Sequence, residues 1–244
     1  MDRFVYLSPH LDDAVFSCGG LIARQVAEGG AVTVLTLFAG DPPPGEVSPF
    51  AAGLHARWGE PTAPVASRRA EDRIACGRLG ASVVHLGLPE AIYRKDPQGM
   101  SFYPDQASIF GPLVPSDQST IDIAEGLLLP YLSREAALCC PAGYGGHVDH
   151  RLTRLAAERL GAPILFYMDM PYAARGGAIP LDMGVPSGER LAQTLAEEEI
   201  EAWAVASFEY ASQRSTFWSS YEDLLQELRQ HHDSNQGMLL IGPV

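Results

Sequence analysis

Residues 4–38 read FVYLSPHLDDAVFSCGGLIARQVAEGGAVTVLTLF, and this stretch decides the fold. Residues 4–8 form a short apolar run that predicts a strand, and residues 14–27 carry apolar side chains at helical spacing. Gly29 and Gly30 end that helix. Residues 31–38 are rich in β-branched and other apolar side chains, as in a buried parallel strand. The stretch therefore predicts a β-α-β unit.

The same alternation of strand and helix continues along most of the 244 residues. Further helices are predicted at 67–79, 121–132, 149–160 and 221–231, and further strands at 82–86, 136–140 and 164–168. This order predicts one α/β domain over residues 1–244, with a mainly parallel, Rossmann-like sheet in three αβα layers and a helical C-terminal segment. Residues 41–64 and 97–117 show no clear period, and we interpret them as long loops that shape a substrate pocket.

The composition argues against some classes of binding partner and predicts a cellular compartment. The formal net charge of −13 and the absence of a Lys/Arg cluster argue against a nucleic-acid or anionic-membrane partner. No apolar run approaches the roughly 20 residues that span a bilayer, and the first residues lack a signal-peptide pattern. We therefore expect a cytoplasmic protein with free thiols. His231 and His232, near the C-terminus, are expected to be solvated.

A first polar cluster follows the first strand. His10, Asp12 and Asp13 lie between this strand and its helix, and an imidazole with a carboxylate is a common ligand set for zinc. Of two adjacent carboxylates, one could bind the metal and the other could act as a free base. A helix cap by either aspartate is the alternative interpretation, and spacing alone leaves both open.

A second polar cluster follows the predicted strand at 136–140. It places His147, Asp149 and His150 after a glycine-rich stretch, at the start of a helix. Ligands of open α/β sheets bind beyond the carboxyl ends of strands, where both clusters fall. His10, Asp13 and His150 together would make a two-His, one-carboxylate set, which suits Zn²⁺ but also describes Fe(II) oxygenases.

Six segments then stand in order along the chain: Pro9-His10-Leu11-Asp12-Asp13 with Cys18-Gly19-Gly20, Arg68-Arg69-Ala70-Glu71 through Leu79-Gly80, Leu86-Gly87-Leu88-Pro89-Glu90, His147-Val148-Asp149-His150, Tyr167 through Pro171-Tyr172, and Tyr210-Ala211-Ser212-Gln213. In this order they resemble the motifs of the LmbE-like, or PIG-L-like, deacetylase family. Members of that family are zinc enzymes that remove acyl groups from amino sugars and related compounds. The resemblance covers most of the chain.

The resemblance implies a role for each matching residue. His10, Asp13 and His150 would bind the metal, and Asp12 would be the general base. His147 would stabilise the oxyanion and donate a proton to the leaving amine, with Asp149 holding it. Arg68 matches a substrate-contacting position, and Tyr93 and Arg94 are further candidate substrate contacts. The implied cofactor is Zn²⁺, with Fe²⁺ or another divalent metal as alternatives.

Some residues depart from the family pattern. Leu11 and Val148 replace prolines, which predicts less rigid loops, and an extra glycine before His147 makes the match of Tyr144 to the family's loop tyrosine uncertain. The alternatives to a hydrolase are an Fe(II)-dependent oxygenase with the same triad and a non-catalytic metal- or sugar-binding module. The expected partner is a small N-acyl amino sugar or conjugate, and a homo-oligomer is compatible with the sequence.

Overall fold

The computed structural model describes residues 2–59, 62–133 and 135–242. Within these ranges seven strands form one sheet in the order β3-β2-β1-β4-β5-β7-β6. The strands are β1 (Arg3–Ser8), β2 (Ala31–Thr36), β3 (Ser82–His85), β4 (Ala136–Pro141), β5 (Ile164–Tyr167), β6 (Glu189–Gln193) and β7 (Met238–Gly242).

The first five strands are parallel. Tyr6 in β1 pairs with Val34 in β2 on one side and with Cys139 in β4 on the other. The chain therefore moves outward from β1 through β2 to β3, and then returns to place β4 on the other edge of β1. This reversal of strand order opens a crevice at the carboxyl ends of β1 and β4, where ligands of such sheets bind. The predicted mainly parallel α/β sheet is confirmed.

The remaining edge of the sheet is antiparallel, which the sequence analysis did not predict. β7 pairs antiparallel with β5 and with β6. The strand β6 has the sequence ERLAQ, in which one strongly apolar side chain stands among polar ones, so it lacks an apolar run that would mark a strand. β7 is a short run of five residues, all of them buried.

Helices cover both faces of the sheet. The helices are α1 (Asp13–Ala27), α2 (Pro49–Trp58), α3 (Pro64–Arg78), α4 (Gln106–Ile109), α5 (Ser119–Leu128), α6 (Val148–Arg159), α7 (Glu197–Phe208), α8 (Ala211–Phe217) and α9 (Tyr221–Ser234). One core cluster joins Tyr6 and Val34 to α1, α3, α7 and α9, and a second joins Leu7 and Leu35 to α5 and α6. Because neighbouring strand residues point to opposite faces, these clusters are the two sides of a three-layer structure.

The segment 41–64 is not the irregular loop that we predicted, because it contains helix α2. Ser48 accepts a hydrogen bond from the backbone N–H of Ala51 (3.1 Å), and Pro49 occupies the first turn. The buried residues Ala51, Leu54 and Trp58 are spaced by three and four, which is the helical signal that the Pro- and Gly-rich surroundings obscured. Residues Glu60 and Pro61 lie outside the described residues.

Two further boundaries differ from the predictions. The segment 97–117 is irregular apart from α4 and a 3₁₀ turn at Pro115–Asp117. The helix predicted to end at residue 132 ends at Leu128 and continues as a 3₁₀ turn, Leu129–Tyr131. Pro130 accounts for the change, since proline lacks the N–H that an α-helix needs. Across the described ranges, every helix is too short or too polar to cross a bilayer.

Candidate active site

The turn between β1 and α1 folds His10 back against Asp13. Asp13 Oδ2 accepts a hydrogen bond from the backbone N–H of His10 (2.8 Å), and Ser8 Oγ donates to the His10 carbonyl (2.6 Å). Asp12 occupies the N-cap position of α1, but its side chain makes no capping hydrogen bond. The helix-cap interpretation of Asp12 is therefore wrong, and its buried carboxylate is free for another role.

The second cluster begins helix α6. His147 is its N-cap residue, and His147 Nδ1 accepts a hydrogen bond from the backbone N–H of Asp149 (3.2 Å). Gly145 has φ = +81°, and an added Cβ there would lie 2.7 Å from Tyr172 Cγ. Glycine is therefore required both by the backbone conformation and by the close approach of the Tyr172 ring.

The structure brings His10, Asp13 and His150 together. Asp13 Oδ2 lies 3.2 Å from His10 Nδ1 and 3.2 Å from His150 Nε2. Two ligands bound tetrahedrally to zinc at about 2.1 Å are about 3.4 Å apart, so the spacing fits a shared ion. Nitrogens of His10, His147 and His150 also lie within 4.8 Å of one another. Asp13 is the member that adds a carboxylate to the histidines, and its charge would offset that of a cation.

The hydrogen bonds of the two imidazoles support this fit. His10 Nε2 donates to Asp149 Oδ2 (2.9 Å), and His150 Nδ1 donates to Asp169 Oδ1 (2.6 Å). In the neutral rings the lone pairs of His10 Nδ1 and His150 Nε2 then face the carboxylate of Asp13. His150 Nε2 is buried and makes no hydrogen bond. Converging lone pairs on a buried carboxylate call for a cation, so these residues fit a divalent metal.

The pKa shifts of His150 and Asp13 also indicate a site that favours a cation. Burial would lower the pKa of His150, but the carboxylates of Asp13 and Asp169 outweigh it and raise the pKa to about 9. Burial would raise the pKa of Asp13, but the charge of His150 and the hydrogen bond from His10 hold it well below its usual range. The surroundings thus favour positive charge between these side chains.

Asp12 has the opposite electrostatic character. Burial, and then the charge of neighbouring Asp13, raise the pKa of the Asp12 carboxyl to about 7. Asp12 lines the same cavity as His10 and Asp13. A carboxylate with a pKa near neutrality suits a group that takes and returns a proton.

The carboxylates that contact the histidines differ from the predicted ones: Asp149 bonds to His10, and Asp169 bonds to His150. We expected the Asp149 side chain to hold His147. Instead, its Oδ2 accepts hydrogen bonds from His10 Nε2 and from the backbone N–H of Ala91 (both 2.9 Å). Asp169, which sequence reasoning missed, bonds to His150 and accepts from the backbone N–H of Gly143 (2.8 Å). Asp169 could have been found from its position directly after the predicted strand at 164–168. That strand, β5, pairs with β4, which precedes the second polar cluster. Carboxylates that orient metal-binding histidines in this way strengthen metal sites.

A cavity of about 290 Å³ opens beside these residues. Arg68 lines it, forms a buried ion pair with Glu90, and stacks over the Trp58 ring at 4.6 Å. Aromatic side chains dominate the remaining wall: Phe16, Trp58, Phe110, Tyr172 and Phe217. These five side chains come from separate parts of the chain, which local sequence pattern does not bring together. The wall combines flat apolar faces with a few charged groups, as in small-molecule sites.

Two predicted substrate contacts do not reach this cavity. Tyr93 Oη lies 2.7 Å from His55 Nε2, and Arg94 bonds to Asp117 and Asp149. Both side chains are buried, and neither lines the cavity as the described residues form it. Tyr144 is partly exposed and donates its backbone N–H to Asp169 Oδ2 (2.9 Å).

Leu11 and Val148, which stand in place of family prolines, are fully buried. Both belong to one apolar cluster with Leu54, Ile92 and Tyr103. Packing of these two side chains therefore holds both metal-site turns, although neither turn contains the expected proline.

The family described as PIG-L, GlcNAc-PI de-N-acetylase, matches residues 5–160. The chain belongs to the PIG-L family. The predicted resemblance is confirmed, and the matched residues include both turns of the candidate metal site.

Relatives of this PIG-L family member are deacetylases. It is 35% identical to the 2'-N-acetylparomamine deacetylase of Niallia circulans over 193 residues, which cover 69% of this chain and 67% of the relative. It is 30% identical to the Streptomyces fradiae enzyme of the same name, over 74% of this chain and 61% of that enzyme. It also resembles the crystal structure of the zinc-inhibited form of a teicoplanin deacetylase, with a TM-score of 0.81, 27% identity and coverage of 98% of both chains.

Proposed function

We propose that this PIG-L family protein is a zinc-dependent hydrolase that removes an N-acetyl group from an amino sugar. The observation that carries the proposal is the position of Asp13 Oδ2, 3.2 Å from both His10 Nδ1 and His150 Nε2, beside the free carboxylate of Asp12. The names of the relatives and the family match support the amide-hydrolase class over an oxygenase or a binding module.

His10, Asp13 and His150 would hold the zinc ion. When bound, zinc polarises the acyl carbonyl and lowers the pKa of a water molecule towards about 7. Asp149 and Asp169 keep the two imidazoles in the orientation that directs their lone pairs towards Asp13.

Asp12 is the proposed general base. Its carboxylate faces the cavity, and its raised pKa lets it accept the proton of the attacking water near neutral pH. The charge of Arg68 lowers the pKa of Asp12, against the larger effects of burial and Asp13. These opposing effects leave Asp12 able to release the proton again when the amine departs.

His147 is the proposed oxyanion donor. Burial lowers the pKa of His147 well below its usual range, so the ring is neutral. Because His147 Nδ1 accepts the N–H of Asp149, the proton of the neutral ring lies on Nε2. His147 lines the cavity, so this N–H can stabilise charge on the acyl oxygen, where one such donor contributes roughly 3–4 kcal/mol.

An amino sugar suits the cavity and the charge of the protein. The rings of Trp58, Phe110 and Tyr172 offer flat faces to a sugar, and Arg68 and Glu90 offer charged partners to its polar groups. The net charge of −13 attracts substrates that carry ammonium groups and disfavours phosphorylated ones. Relatives from Niallia circulans and Streptomyces fradiae are both named 2'-N-acetylparomamine deacetylase, which supports this substrate class.

The test is acetate release from 2'-N-acetylparomamine and from simple N-acetylglucosamine conjugates. The protein is stripped with a chelator and then reloaded with one equivalent of Zn²⁺, because a similar deacetylase has a zinc-inhibited form. Activity that disappears on stripping and returns on reloading supports the proposal. A reloaded protein that contains zinc but hydrolyses none of these amides would contradict it.

A further inference from the structure

Arg94 lies between two buried carboxylates that belong to different parts of the chain. Its Nη1 donates to Asp149 Oδ1 (2.6 Å) and to the Pro89 carbonyl (3.1 Å). Its Nε and Nη2 donate to the two oxygens of Asp117 at 2.9 and 2.8 Å. Arg94 is 7% exposed, and both carboxylates are fully buried. The guanidinium thus joins the 97–117 segment to the N-terminus of α6.

Asp149 connects Arg94 to the candidate metal site, because its carboxylate bonds to both Arg94 and His10. While Asp149 Oδ1 accepts from Arg94, Asp149 Oδ2 accepts from His10 Nε2 (2.9 Å). Because Asp149 accepts from both groups, His10 Nε2 carries a proton, and in the neutral ring the Nδ1 lone pair then faces Asp13.

Asp117 fixes the other side of the guanidinium. Its carboxylate also accepts hydrogen bonds from Tyr103 Oη (2.9 Å) and from Thr120 Oγ1 (2.8 Å). The guanidinium carbon lies 5.0 Å from the Phe38 ring centre and 5.6 Å from that of Tyr103. The planar fork of Arg94 holds one carboxylate through two parallel hydrogen bonds and the other through a third, a geometry that the compact ammonium of a lysine does not reproduce.

This network is distinct from the substrate cavity. Neither Arg94 nor Asp117 lines the cavity among the described residues. The hydrogen bonds of Arg94 lead to His10 through Asp149.

We propose that Arg94 and Asp117 are positioning residues for the metal site, acting through Asp149 on the ring orientation and tautomer of His10. The inference rests on the proposed function in that it takes His10 as a metal ligand. It replaces the predicted role of Arg94 as a substrate contact. It also assigns the 97–117 segment a part in holding the metal, in addition to shaping the pocket.

The test measures zinc affinity rather than turnover. Arg94→Lys and Asp117→Asn are prepared as stripped, folded proteins, and their Zn²⁺ dissociation constants are measured by competition with a chromophoric chelator. We expect both variants to bind zinc roughly 10- to 100-fold more weakly than the natural protein. Two variants at opposite ends of the network keep the test decisive if one of them does not fold.

Arg154→Lys is the matched control. Like Arg94, Arg154 is a buried arginine, and it lies on α6. It donates to the backbone carbonyls of Ala142 (2.8 Å) and Gly184 (3.0 Å) rather than to Asp149. We expect Arg154→Lys to lower stability while changing zinc affinity less than about threefold. An equal loss of affinity in this control would show a general effect of disturbing α6, and would overturn the inference.

A double-mutant cycle separates positioning from unrelated damage. In an Asp149→Asn background, Arg94→Lys should weaken zinc binding by less than about twofold, because the route to His10 is already broken. Full additivity of the two losses would overturn the inference. If the natural protein itself binds no zinc, the proposed function fails. If it binds zinc and both network variants bind equally well, only the positioning role fails.

Discussion

Glu71 on α3 accepts two hydrogen bonds from Ser212 at the start of α8, from its backbone N–H at 2.9 Å and from its hydroxyl at 2.5 Å. These residues are 141 positions apart and belong to two motifs that the sequence displays separately. The contact places the next residue, Gln213, beside Arg68. In the amide orientation that satisfies its neighbours, Gln213 accepts from Arg68 Nε (3.2 Å) and from Trp58 Nε1 (3.1 Å). The two motifs together therefore build one wall of the cavity.

Replacement of this acceptor should destabilise the fold and loosen the wall. Glu71→Ala leaves the N–H of Ser212 without its partner, which costs about 1–3 kcal/mol in the free energy of unfolding. Urea denaturation measures the loss, and KM for the N-acetylated substrate should rise with it. Glu209→Ala, which removes an ion pair with the exposed Arg78, is the control and should cost less than about 1 kcal/mol. Equal losses in both variants would refute a special role for Glu71.

Asp12→Asn should separate metal binding from turnover. The amide is nearly the size of the carboxylate and leaves His10, Asp13 and His150 in place, but it cannot accept the proton of water. We expect one equivalent of zinc by elemental analysis and a fall in kcat of about 10²–10⁴-fold. A variant that retains near-natural kcat would remove Asp12 from the role of general base.

The carboxylate behind His150 should affect metal affinity more than catalysis. Asp169→Asn weakens the acceptor of the 2.6 Å hydrogen bond from His150 Nδ1, so the ring loses part of its orientation. We expect zinc to bind roughly 10- to 100-fold more weakly, with kcat of the fully loaded enzyme less affected. His150→Ala, measured alongside, should bind no zinc at stoichiometric concentration. Full zinc occupancy in His150→Ala would contradict the ligand assignment.

His231 should make the protein less stable in mild acid. We expected this residue to be solvated, but it is 5% exposed, and its Nε2 is buried without a hydrogen bond. Burial lowers its pKa to about 4, with Glu227 raising and His232 lowering the pKa to smaller extents. In the unfolded chain a histidine has a pKa of about 6.5, so below that pH the unfolded state binds more protons.

The sign of this effect is therefore a loss of stability as the pH falls from about 6.5 towards 4. At pH 5 the contribution of His231 is about 2 kcal/mol relative to pH 7. His231→Leu, which cannot titrate, should reduce the fall in the free energy of unfolding between pH 7 and pH 5 by about that amount. Identical pH dependence in the natural protein and in His231→Leu would show that His231 does not contribute.

Local pattern was sufficient for the parts of the fold that repeat a simple period. The strand at residues 4–8, the helix that follows it and the strand after Gly30 were predicted within a few residues, because burial imposes regular apolar spacing on them. The antiparallel edge was missed because β6 is largely polar, and α2 was missed because prolines and glycines surround its buried apolar positions. In both cases tertiary packing outweighed a weak local signal.

The sequence by itself determined that His10, Asp12 and Asp13 follow one strand and that His147 and His150 follow another, since strand ends can be recognised from local pattern. Only the tertiary structure decided which groups meet. The strand order places β4 beside β1, so Asp149 reaches His10 instead of His147, Asp169 reaches His150, and Arg94 reaches Asp149 instead of the cavity. These partners lie up to 139 residues apart. The periodicity of a segment reports only which of its own faces is buried, so it cannot specify contacts that depend on how the strands are arranged.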